Sequence, residues 1–72
     1  MNSNSNIISY YTKRIAKRRA LIAQLTSLTN KIIDNKLGKD YHDELLAVAD
    51  TINILQSEID IDEVHMKEEK MK

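Results

Sequence analysis

The chain has no cysteine and no proline, and Gly38 is its only glycine. Without cysteine, neither a disulfide nor a thiolate metal site can hold the fold together. Two histidines are too few for a structural zinc. The lack of cysteine also agrees with a reducing compartment. With no proline anywhere and no glycine away from residue 38, nothing interrupts helix along either half. Aromatic residues are limited to Tyr10, Tyr11 and Tyr41, and β-branched residues do not alternate with polar ones, so the strand pattern is missing as well. No apolar run approaches the roughly 18–20 residues that a bilayer-spanning helix needs. The opening stretch Met1-Asn2-Ser3-Asn4-Ser5-Asn6 is polar and uncharged and does not read as a signal sequence. The expected location is cytoplasmic, with no membrane partner.

Acids are missing from one half altogether. Residues 1–33 carry Lys13, Arg14, Lys17, Arg18, Arg19 and Lys31 and no Asp or Glu. Residues 34–72 carry all eleven acids against five lysines, so charges of +6 and −6 cancel to a formal net charge of zero. Such asymmetry marks either an internal clasp or a partner-binding device.

What is present is apolar residues at helical spacing. From Ile7 to Asn35, the residues Ile7, Tyr11, Leu21, Leu25, Leu28 and Ile32 fall on one heptad seam, with Ile8, Ile15 and Ile22 beside it. Arg14 and Arg18 also fall in that stripe, which predicts a seam that is dry near the turn and polar in its first half. In the second half Tyr41, Leu45, Val48, Ile52, Leu55 and Ile59 recur at alternating spacings of four and three. That pattern stops at Asp62, while Ile61, Val64 and Met71 continue in another phase, which predicts a kink, fraying or a short third helical segment. Between the halves, Gly38 is suited to the left-handed conformation that ends a helix, and Asp40 to the N-cap of the next.

The expected fold is therefore all-α: an antiparallel two-helix hairpin of coiled-coil type over residues 7–64, with helices at 7–35 and 40–64 and a turn at 36–39. Residues 1–6 read as a disordered tail and residues 65–72 as a charged, solvated tail. A hairpin of this length hides too little apolar surface to be comfortable alone. With disulfides and metal excluded, the expected support is a second copy, making a homodimeric four-helix bundle. In length, heptads and the turn at Gly38, the chain resembles the plasmid Rop family, whose helical hairpins pair in this way. The resemblance is one of architecture and implies that assembly alone.

Folding back at Gly38 sets Lys13 near Asp62, Lys17 near Glu58 and Arg14 near Ile61. The basic segment then faces Glu58, Asp60, Asp62 and Glu63, which predicts a clasp that fixes register. The sharper alternative is a phosphate-contacting surface made of Tyr10, Lys13, Arg14, Lys17, Arg18 and Arg19, which makes the chain a DNA or RNA binder. In a third reading the acids Glu58, Asp60, Asp62 and Glu63 imitate the phosphates of DNA and block a host DNA-processing enzyme. Glycine-rich phosphate loops and nucleophilic serine motifs are lacking. His42 beside Asp43 and Glu44, or His65 with Glu69, makes too poor a ligand set for a metal. No catalysis and no cofactor are expected. The leading expectation is a small regulatory or accessory protein that associates with itself and with an unidentified protein partner. The abundance of Asn, Lys and Ile fits an AT-rich phage or plasmid gene.

Overall fold

In the computed structural model, which describes residues 3–72 (backbone only for Ser3 and Asn4), two α-helices lie side by side. Helix α1 spans Ser3–Asp34 and helix α2 spans His42–Lys70, and there is no strand among the described residues. Ion pairs joining Arg14 to Asp62 and Arg18 to Glu58 set the helices antiparallel. The hairpin is a rod of 54 × 15 × 12 Å. No helix among the described residues is long and apolar enough to cross a membrane.

Both helices outrun their expected bounds. Helix α1 is already formed at Ser3, so residues 3–6, expected as tail, are helical, and only residues 1 and 2 lie outside the described residues. Helix α2 continues without a break through Asp62 to Lys70, so no separate third segment forms and residues 65–70 are not a tail. The physical reason is shared. Once a helix is nucleated, each added residue gains a hydrogen bond at little further cost, and no proline or glycine opposes it. Lys67 and Lys70 in the last turn of α2, and Asp43 and Glu44 in its first, also suit the helix dipole.

The turn is closed differently from the way its composition suggests. Gly38 does not have a positive φ; the left-handed residue is Lys36, at φ 62°. Two hydrogen bonds surround it: Lys36 N–H donates to Ile33 O at 2.9 Å, and Leu37 N–H donates to Ile32 O at 3.0 Å. This pair of bonds is the Schellman arrangement, with Lys36 in the position where glycine is usual. Asp40 is not the N-cap of α2. Tyr41 holds that position without a side-chain cap, and its N–H donates to Leu37 O at 3.1 Å.

The seam of α1 keeps Tyr11, Leu25 and Ile32 of the expected row, while its alternate positions move by one residue. The inward positions are Ile8, Tyr11, Ile15, Arg18, Ile22, Leu25, Thr29 and Ile32, at alternating spacings of three and four, whereas Ile7, Leu21 and Leu28 are exposed. In α2 the inward row is Leu45, Val48, Ile52, Leu55, Ile59, Asp62, Met66 and Glu69. The heptad therefore does not fail at Asp62; the acid occupies a seam position and the row continues past it. Tyr41, the expected first member, is exposed. Burial is deepest in the half expected to be polar. Ile59 is 0% exposed and Ile15 4%, and these are the only buried apolar side chains among the described residues. Each such burial gains about 1.5–3 kcal/mol. The seam nearer the turn, with Leu25, Ile32, Leu45 and Val48, stays half-buried.

Candidate functional site

The charged residues that stood out in the sequence meet around one acid. Asp62 is buried, with 4% of its surface exposed, and its Oδ2 accepts from Arg14 Nε at 3.0 Å and from Arg18 Nη1 at 2.7 Å. Arg18 spans two acids, its Nη2 donating to Glu58 Oε2 at 3.0 Å. On the opposite edge Arg19 Nη2 donates to Glu63 Oε2 at 2.7 Å. No buried side-chain nitrogen or oxygen among the described residues lacks a hydrogen-bond partner, which is the condition under which a carboxylate is tolerated inside.

Seam geometry dictates this choice of partners. Positions 14 and 18 lie on or beside the row that faces α2, and arginine's planar fork reaches a carboxylate with two donors. The ion pairs of Arg14 and Arg18 with Asp62 and the two best-covered apolar residues, Ile15 and Ile59, fall in the same stretch of the two helices. Lys13 and Lys17, expected opposite Asp62 and Glu58, fall on the outer side of α1 and make no ion pair among the described residues. Arg14, expected near Ile61, takes Asp62 instead. Asp60 points away from α1, and its Oδ1 accepts from Gln56 Nε2 at 3.1 Å.

A ring cluster extends the clasp toward the helix ends. The Arg14 guanidinium lies over the Tyr10 ring at 5.3 Å, and its Nη1 donates to Tyr10 Oη at 2.7 Å. That hydrogen bond is the main cause that holds the Arg14 guanidinium above its ordinary pKa; desolvation opposes it, and the hydrogen bond and charge of Asp62 add to it. Tyr10 meets Tyr11 edge-on at 5.5 Å, and Tyr11 meets His65 edge-on at 5.8 Å. Tyr11 Oη lies 3.4 Å from His65 Nδ1. Thr12 Oγ1 donates to Ile8 O at 2.8 Å and lies 3.4 Å from Met66 Sδ. The sequence reading missed the contacts of His65 and Met66. Placing them needs the α1 seam in its correct phase, which brings Tyr11 and Thr12 to the end of α2. Glu69, weighed with His65 as a ligand pair, is bound by Lys72 Nζ at 2.8 Å.

Chemically, this arrangement neutralises charge. Three of the five cations in segment 13–19 are committed to acids of α2, and three of the four acids named with them, Glu58, Asp62 and Glu63, are committed in return. What remains open is Lys13, Lys17 and the exposed ring of Tyr10 on one helix, and an apolar row on the outer side of the other: Ile54, Ile61 and Val64, at 60%, 55% and 56% exposed. Comparison with known proteins finds no match: no family model, no curated protein and no solved structure.

Proposed function

We propose that this chain is a small, non-catalytic accessory or regulatory protein that works by self-association and by binding a macromolecular partner. The observation that carries the reading is the mismatch between surface and size. The hairpin exposes 5590 Å² for 8.3 kDa, against about 4,600 Å² for a compact monomer of that mass. Large apolar side chains make up part of the excess, and a helical surface of this kind is a docking surface. Chain pairing into four helices is the assembly this favours, in the cytoplasm of a cell that carries the gene on a phage or a plasmid.

The test is solution mass against concentration, by sedimentation or light scattering. A mass of two chains is expected at micromolar concentration, and a single-chain mass throughout would overturn the proposal. A second reading, nucleic-acid binding, is favoured by one observation. A shallow groove lined by Tyr10, Lys13, Arg14, Ala16 and Lys17 lies on the outer face of α1, and two of its three cations, Lys13 and Lys17, have no acid paired to them among the described residues. With Arg14, Arg18 and Arg19 drawn into the clasp, two cations give only a shallow salt slope. Lys13→Glu with Lys17→Glu should abolish any retention of DNA or RNA if that reading holds. The acid-mimic reading is weaker, because three of its four carboxylates, Glu58, Asp62 and Glu63, are already paired with arginine.

A further inference from the structure

Helix α2 carries a second heptad row. Ile54, Ser57, Ile61, Val64, Glu68 and Met71 recur at alternating spacings of three and four, in a phase offset from the row that faces α1. At 100° per residue the two rows lie about 160° apart. One is covered by α1, and the other points away from it, with Ile54, Ile61, Val64 and Met71 all exposed. A helix that is apolar on opposite sides sits between two neighbours, and the hairpin supplies only one. Shallow grooves flank Val64, one lined by Asp60, Ile61 and His65, the other by Asp60, Met66 and Lys67.

We infer that the second neighbour is α2 of another copy, packed antiparallel about a two-fold axis level with Asp62 and Glu63. The inference rests on the self-association proposed above and assigns it a face and a register. Charge and apolar pattern together select that register. With the axis there, Ile61 meets the partner's Val64 and Ile54 meets the partner's Met71, each contact occurring twice by symmetry. The flanking positions then set Asp60 beside the partner's Lys67, also twice, and both side chains are free of ion pairs within the described hairpin. Glu58 and His65 flank the other edge, where each already has a partner in α1.

Neighbouring registers are opposed. Sliding by one heptad toward the turn sets Asp60 against the partner's Asp60 and Glu58 against the partner's Glu58. Sliding the other way sets Lys67 against the partner's Lys67. A parallel pairing sets Glu68 and Asp50 each against its own copy. Like charges facing each other disfavour all three alternatives. The assembly places the two α2 helices at the centre and the two α1 helices outside.

The experiment combines mass with cross-linking in a chain that has no native cysteine. Asp60→Cys and Lys67→Cys chains are made separately, mixed and oxidised. A covalent dimer is expected from the mixture and from neither chain alone, because like positions lie seven residues apart along the antiparallel pair, about 10 Å, beyond disulfide reach. Ile61→Asp should raise the dimer dissociation constant about 100-fold or more, since it buries an unpaired charge twice. A two-chain mass that Ile61→Asp leaves unchanged, or a mixture that fails to cross-link, overturns this interface while self-association stands. A single-chain mass at every concentration overturns both.

Discussion

The two ends of this rod solve the same problem with different success. Near the turn the facing residues are mostly aliphatic, Leu25, Ile32, Leu45 and Val48 with Thr29 among them, and none is fully buried. Near the helix ends the facing residues include Arg14, Arg18 and Asp62, and there Ile15 and Ile59 disappear from solvent. Two helices alone cannot surround a leucine. Long polar side chains that reach across the seam can, provided that a carboxylate waits at the far side. In this hairpin the arginine–aspartate pairs and the two best-buried isoleucines occupy the same end of the rod.

The largest expected effect tests whether burial differs between the ends. Ile59→Ala should cost about 3–4 kcal/mol, whereas Val48→Ala should cost about 1 kcal/mol. Thermal melts followed by circular dichroism measure both, and equal losses would erase the contrast. Next is the acid itself. Asp62→Ala leaves two guanidinium groups facing a gap and should cost about 3 kcal/mol, while Arg19→Ala on the exposed edge should change stability by less than about 0.5 kcal/mol. If the two substitutions proved equivalent, the buried carboxylate would be no more than another surface charge. The smallest effects lie at the turn. Lys36→Gly relieves a left-handed lysine and should gain about 0.5–1 kcal/mol. Gly38→Ala should be neutral or mildly stabilising, because the added methyl meets Leu45 Cδ1 at 3.9 Å and φ there is not positive. The opposite signs would return the helix-ending role to Gly38.

The hairpin itself was readable from the sequence. The spacing from Leu45 to Ile59 gave the inward row of α2, and the division of charge gave the meeting of a basic segment with an acidic one. The inward row of α1 was harder, because Leu21 and Leu28 compete with Ile22 and Thr29 for the same turns, and hydrophobicity alone favours the leucines. The register supplied by α2 decides in favour of Ile22 and Thr29. Arg14 and Arg18 already fall in the expected stripe; the two helices meet one residue away from the expected register, so Arg14 and Arg18 take Asp62 and Glu58 in place of Lys13 and Lys17. Asp62 looked like the end of a seam because an acid in an apolar row is expensive. Its cost is offset by two arginines about 45 positions earlier, a distance no local pattern reveals. The left-handed Lys36 was hidden by a glycine two residues on.

Arg14 and Asp62 are 48 positions apart, and Arg18 and Glu58 are 40 apart, whereas the turn joins neighbours. Closing a long loop costs more chain entropy than closing a short one. The chain should therefore zip from its least-covered end toward its best-covered one, and the arginine–aspartate contacts should be made after the rate-limiting barrier. Stopped-flow refolding of Asp62→Ala should then show an almost unchanged folding rate and a much faster unfolding rate, so that the clasp determines how long the hairpin stays shut.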